Sequence, residues 1–197
     1  MELLLHGTMC MVVLVVVVLT LAVVVVKALP SAEVFPKWVA IWLIVSTLIC
    51  LWDASFVMFR PDSFDILLWA PYADYIRVDK LYGNVDDSFV WSQSVMNIVE
   101  CGLNIYALLL LRDKKFRAAA VMAVVVSTMT SSKTILYHLM EYACGFCNTA
   151  HNDAFTLVML YFLPNGVWIW VPAFVAFHLG GLLSESPAAT SKRKKNK

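Results

Sequence analysis

The sequence contains no glycine-rich phosphate loop, no dinucleotide fingerprint and no internal repeat, so neither a nucleotide cofactor nor a solenoid is expected. Its single basic run is the short tail Ser191-Lys-Arg-Lys-Lys-Asn-Lys197, too little to make nucleic acid an expected partner. Charge is scarce at 15% of residues with a net of +1. Cysteine is scarce too, and three of the five (Cys10, Cys50, Cys101) lie in apolar segments, where a thiol behaves as a small hydrophobe. What the chain has in excess is apolar surface. The apolar share is 61%, against about 45 to 50% in soluble domains, and the mean hydropathy is +0.76. These 197 residues read as an all-α, polytopic membrane protein with five transmembrane helices in a bundle.

Residues 1–8 form a short N-terminus, and residues 9–27 a first transmembrane helix, whose apolar run over residues 9–26 is long enough for a hydrocarbon core of about 30 Å and ends at Lys27. That run exceeds a signal-peptide core of roughly 7 to 15 residues and follows no positive charge, so it is expected to be retained. A four-helix membrane domain then covers residues 36–180, and residues 181–197 form a basic tail. Trp38 and Trp42 sit at the entrance of the second span as interfacial anchors. Residues 59–87, rich in aromatics, read as an ordered cap at the interface. The third span occupies residues 87–112, the fourth about 118–140 and the fifth about 154–179, with Pro164 and Pro172 inside the last.

The third span is the informative one. Gln93, Asn97, Glu100 and Asn104 follow one another at spacings of four, three and four, which stacks them on one helix face. A central charge facing lipid costs roughly 2.5 to 3.5 kcal/mol, so the stripe must face other helices or a cavity. Ser46, Cys50 and Asp53 share a face of the second span; Thr130, Lys133, Tyr137 and Glu141 share one of the fourth; Tyr161, Asn165, Trp168 and Pro172 share one of the fifth. A rise of about 1.5 Å per residue brings these groups to similar depths, as a common pocket requires. The plainer reading is that amides and one protonated carboxyl glue helices together, at about 0.6 kcal/mol per contact.

Basic residues set the expected orientation. With five spans, Lys27, Lys37, the Arg112 to Arg117 turn and the tail share one side, which makes it cytosolic. The N-terminus, the cap and the Cys144 loop then face the lumen. The ending Lys194-Lys195-Asn196-Lys197 fits a dilysine retrieval signal for the endoplasmic reticulum, or alternatively a patch for anionic lipid. In an oxidising lumen Cys144 and Cys147 either pair as a disulfide or, with His138 and His151 nearby, hold zinc; no metal is expected at the main site.

Three segments carry a resemblance: Phe162-Leu-Pro-Asn165-Gly-Val-Trp168-Ile-Trp-Val-Pro172, Leu136-Tyr137-His-Leu-Met-Glu141, and Trp69 with Tyr72 ahead of Asp87-Ser-Phe89. Over roughly residues 38–180 the chain resembles the EXPERA family of emopamil-binding protein (a sterol isomerase) and the sigma-two receptor. Its Asp79-Lys-Leu-Tyr-Gly83 and Gln93-x-x-x-Asn97-x-x-Glu100 patterns are most similar to a branch from filamentous fungi. The resemblance implies a five-helix endoplasmic reticulum protein with a sterol-sized cavity. It places Asn165 and Trp168 on the family's fifth-span pair and Asp53 on its second-span glutamate. The family's second-span histidine falls on Ile49 or Cys50, and its third-span catalytic glutamate on Ser94, so two acid–base groups of the isomerases are missing.

The expected function is therefore an isomerase or cyclase moving protons on a sterol, terpenoid or polyketide-like lipid, with secondary metabolism as a setting. Catalysis is expected from Asp53, Glu100 and Lys133, with Lys133 pairing Asp53 and Glu100, lacking a cation, donating the proton. Gln93, Asn97, Tyr137, Asn165 and Trp168 are expected to bind substrate, Trp168 offering its ring face to a cation. No cofactor is expected, the partners being a hydrophobic small molecule and membrane lipid, with a homodimer left open. The alternative is a lipid-binding or trafficking protein that kept the pocket and lost the chemistry.

Overall fold

The computed structural model describes residues 16–18, 20 and 22–185. Its described residues form helices, turns and no strand. Four helices are long and apolar enough to cross a membrane: α2 (Lys37–Met58), α5 (Ser88–Arg112), α6 (Phe116–Ala143) and α7 (Ala154–Ser184). The first apolar segment contributes a shorter helix, α1 (Val16–Ala28). Residues 1–15, which hold the expected N-terminal stretch and the beginning of the expected first span, and the basic tail from residue 186 with its dilysine motif lie outside the described residues.

The long helices pack in sequence, α2 on α5, α5 on α6 and α6 on α7. Aromatic rings join α7 back to α2: Trp38 meets Phe174 and His178, each at 5.5 Å between centroids, and Trp42 meets Trp168 at 5.3 Å. Toward the end that carries the Arg112 to Arg117 turn, hereafter the basic end, Ala107, Ala119, Ala120 and Ala123 are fully buried among Leu43, Leu111, Val175 and Leu179. Small side chains there let the helix backbones approach closely. At the opposite end a second apolar cluster gathers Phe56, Trp69, Tyr72, Leu81, Tyr137 and Tyr161. Between the two clusters lies a buried polar layer of Ser46, Ser94, Asn97, Glu100, Asn104, Ser127 and Thr130.

That second cluster belongs partly to the expected cap, which is ordered. After 3₁₀ turns at Asp62–Asp65 and Leu67–Trp69 come two short helices, α3 (Tyr72–Val78) and α4 (Lys80–Gly83). Gly83 is needed where α4 folds onto α3, because a Cβ there would stand 2.7 Å from Ile76 Cγ2. The cap is tied to α2 by indole N–H bonds from Trp52 to the Leu68 carbonyl (3.0 Å) and from Trp69 to the Trp52 carbonyl (3.2 Å). Arg60 donates to the carbonyls of Tyr82 (2.7 Å) and Asn84 (2.9 Å), closing the cap's far end. Asp87 then starts α5 by accepting the Val90 N–H at 2.6 Å, an N-cap that frees the helix from its loop.

In α7, residues 157–162 wind as a π-helix just ahead of Pro164, whose missing N–H breaks the regular ladder. Asn165 repairs part of that break by donating its side-chain N–H to the Tyr161 carbonyl at 2.8 Å. Pro172 lies inside the helix further along, and on α6 Ser131 donates across to the Ile169 carbonyl at 3.1 Å.

Candidate functional site

A cavity of about 270 Å³ lies beneath the cap, between α2, α5, α6 and α7. Its lining combines Trp52, Tyr72, Tyr75, Tyr82, Tyr137 and Trp168 with Asp53, Gln93, Asn97, Lys133 and Asn165. Seven of the eight residues singled out from the sequence therefore share one chamber. Glu100 is the exception. It is 2% exposed and sits behind the wall, one turn beyond Asn97.

The polar groups form one connected chain across three helices. On α2, Asp53 Oδ1 accepts the hydroxyls of Tyr72 (2.6 Å) and Tyr82 (3.1 Å), and Oδ2 accepts the Asn97 side-chain N–H (3.0 Å). The carbonyl oxygen of the same Asn97 amide accepts from Lys133 Nζ on α6. Lys133 also donates to Glu100 Oε2 at 3.1 Å, and Thr130 reaches that oxygen at 2.9 Å. Asn97 thus stands between the carboxylate and the ammonium, each end of its amide matched to the charge it meets.

This arrangement corrects two expectations. Lys133 does not pair with Asp53, since Asn97 is interposed; its carboxylate partner is Glu100. Glu100 does not lack a cation, and it supports Lys133 from outside the cavity instead of facing a ligand. Asn165 lines the cavity, with one amide hydrogen committed to the Tyr161 backbone. Tyr137 lines it with its hydroxyl turned away to Asp79 Oδ2, at 2.6 Å. Trp168 presents its ring at the level where Trp42 closes the gap between α2 and α7. His138 rests on α7, its ring 5.1 Å from that of Tyr161. His178 packs with Trp38 and Phe174 at the basic end.

Trp52, Tyr72, Tyr75, Tyr82 and Thr130 in the lining, and Asp79 behind it, are not among the site residues expected from the sequence. The cap's density of aromatics was the available signal, and Tyr72 stood in the resemblance without a role. Burial pushes the phenols of Tyr72, Tyr75 and Tyr82 well above the ordinary tyrosine range, so they stay neutral, and those of Tyr72 and Tyr82 donate to Asp53. Asp79, 1% exposed in the turn between α3 and α4, is pushed up to about 6 by burial, against the opposing hydrogen bonds from Tyr137 and the Leu81 N–H. Burial also lowers the Arg60 guanidinium, which nonetheless remains a cation.

Beyond the cavity, toward the basic end, Asn104 donates to Ser46 Oγ at 3.2 Å. Among the described residues, Glu100 Oε1, Asn104 Oδ1, Ser127 Oγ and Tyr161 Oη are buried without a hydrogen-bond partner. At the cap end, Cys144 and Cys147 are joined as a disulfide. Together with Glu141 they form a cluster of metal-ligating atom types, but in the disulfide state the two sulfurs are spent on each other. Chemically, the cavity offers an ammonium, a carboxylate and neutral phenols in an aromatic enclosure, a set suited to moving protons on an apolar molecule. No family model matches the chain, and no curated protein matches it.

Proposed function

We propose that this protein is an isomerase or cyclase of the EXPERA type that transfers protons on a sterol, terpenoid or polyketide-like lipid within the endoplasmic reticulum membrane. In this reading five spans form a bundle, with the cap and N-terminus in the lumen and the tail in the cytosol. The observation that carries it is the uninterrupted chain Asp53–Asn97–Lys133 lining an aromatic cavity and backed by Glu100, so that an ammonium and a carboxylate both reach the cavity. Structural glue alone needs no cavity at its centre.

In this reading the roles are redistributed. Lys133, with 13% of its side chain exposed and two bonds made, gives a proton to one alkene carbon of the lipid. The cation left on the neighbouring carbon is steadied by the faces of Trp168 and the cap tyrosines, worth about 2 kcal/mol or more when dry. Asp53 removes a proton from the next carbon, so the double bond moves and the lipid's composition is unchanged. Asp53 then releases its proton to water and Lys133 takes one up from water, which resets the site, with Glu100 holding the lysine in place. At about 270 Å³ the chamber lies below the usual 300 to 1,000 Å³ range of ligand pockets, so it takes the reacting end of the lipid while the remainder stays in the bilayer.

A second reading, a lipid-binding protein without catalysis, is favoured by one observation: the Asp53 carboxylate already accepts three donors, as in a rigid scaffold. Incubating membranes that contain the protein in D₂O decides between them. Catalysis places one deuterium on a carbon of a membrane lipid, and Asp53→Asn reduces that labelling by about a hundredfold or more. No labelling above that of membranes lacking the protein rejects the enzyme and leaves the binding protein.

A further inference from the structure

Outside the cavity, the loop that follows α6 is built around a buried acid and a vicinal cysteine pair. Glu141, 2% exposed, accepts the Asn148 N–H (2.9 Å) and the Thr149 hydroxyl (2.8 Å) on Oε1, and the Asn148 side-chain N–H (2.9 Å) on Oε2. The same loop holds the cap. Asn152 donates to the Val78 carbonyl (2.8 Å), the His151 ring meets the Arg77 carbonyl (2.6 Å), and the Lys80 N–H reaches the Asn148 carbonyl (3.4 Å). These bonds seat α3 and α4, and with them Tyr72, Tyr75 and Tyr82, over the cavity.

The Cys144–Cys147 disulfide closes the turn that starts this loop, and both residues are exposed. Within the turn, Gly145 and Phe146 adopt φ of 71° and 59°. Glycine tolerates that conformation, whereas a phenylalanine is held there by its surroundings. We propose that Cys144–Cys147 is a thiol–disulfide exchange site that takes two electrons from a dithiol, and that its state sets how firmly the cap is held over the cavity.

The reductant's thiolate attacks Cys147 Sγ, since Cys144 Sγ lies 3.8 Å from the Glu141 carboxylate, which repels an incoming anion. The bond between the two cysteines breaks, a mixed disulfide forms at Cys147, and Cys144 leaves as a thiolate facing the Cys147 N–H at 3.2 Å. The reductant's second thiol then displaces Cys147 and departs as a disulfide, and two protons from solvent complete both thiols. Without its covalent closure the turn lets Phe146 leave the left-handed region, and the Asn148 to Asn152 contacts with the cap loosen. This inference does not depend on whether the cavity is catalytic.

Cys50 lines the cavity as a free thiol and reports on access to it, while free Cys101 does not line it. The full-length protein in detergent is treated with dithiothreitol, the reductant is removed by gel filtration, and alkylation by N-ethylmaleimide is followed residue by residue by peptide mass spectrometry. Cys50 is expected to label about tenfold faster after reduction, as for a local opening made easier. The Cys144→Ser/Cys147→Ser variant is expected to label equally fast without reductant, with Cys101 unlabelled throughout. Equal Cys50 rates in the oxidised and reduced protein overturn the proposal. So does a pair that dithiothreitol leaves oxidised, or Cys101 labelling in step with Cys50, which means that the helices themselves separate.

Discussion

Near their shared basic end, α5 and α6 bury Ala107, Ala119, Ala120 and Ala123 against one another and against leucine and valine side chains. A few turns away the same two helices bury Asn97, Glu100 and Thr130 and half-bury Lys133, with Asn97, Thr130 and Lys133 lining a cavity and Glu100 behind its wall. Hydrophobicity does not distinguish the two regions in lipid, where tails are as apolar as leucine, so alanine packing there works through van der Waals contact and close backbone approach. The polar region works differently. Each of its charges is stable only while its partner stays in place, which ties its stability to one specific arrangement. One region is tolerant in chemistry and strict in volume, and the other is the reverse.

The strongest way to break that contrast is to remove half of an ion pair. Lys133→Met leaves Glu100 buried without its cation, and the loss of a single partner costs about 3 to 5 kcal/mol. Adding Glu100→Gln is expected to restore most of that stability, because the charge left behind is gone. Thermal unfolding of the two variants in detergent checks this. A double variant as unstable as Lys133→Met shows that the lysine matters through packing, and the contrast then fails.

The next effect lies in the cap, where Asp79 sits outside the long helices. Burial raises its acid from 3.8 to about 6, so folding favours the protonated form. Its contribution is present in full below the unfolded value of 3.8 and is lost as pH rises through about 6. The shift corresponds to roughly 3 kcal/mol. Wild-type stability is accordingly expected to fall between about pH 4 and pH 6 relative to Asp79→Asn, which has no acid to titrate there. Parallel stability–pH curves for the two proteins place the sensitive group elsewhere.

Much of this contrast is legible in the residues. The three-and-four spacing of Gln93, Asn97, Glu100 and Asn104 identifies one buried face, because a helix leaves no other way to align them. The boundaries of α2, α5 and α7 come close to the apolar runs for the same reason. Partner choice is not legible. Lys133 is nearly equally placed for Asp53 and Glu100 by helix register, and the outcome turns on Asn97 filling the space between, a matter of rotamers. The cap is harder still. Tyr75, Tyr82 and Asp79 lie on one- and two-turn helices joined by irregular backbone, where no period says which side chains point inward, so aromatic density marks the region without naming its members. The Glu141 loop is hidden for a similar reason, since its acid is recognised by backbone and amide donors that any sequence could supply.

The smallest effect belongs to the alanine region. Ala120→Leu inserts a branched side chain where the residue is fully buried between α6 and its neighbours, and overpacking of this kind costs about 1 to 3 kcal/mol. If the two regions are as separate as the contrast holds, the strain stays at the basic end. The thermal midpoint drops, while N-ethylmaleimide labelling of Cys50 in the folded protein keeps the wild-type rate. Faster Cys50 labelling in Ala120→Leu shows instead that helix spacing at one end sets the geometry of the chamber at the other. The alanines then belong to the site's architecture as much as Asn97 does, because a polar network held at hydrogen-bond distance cannot follow helices that spread.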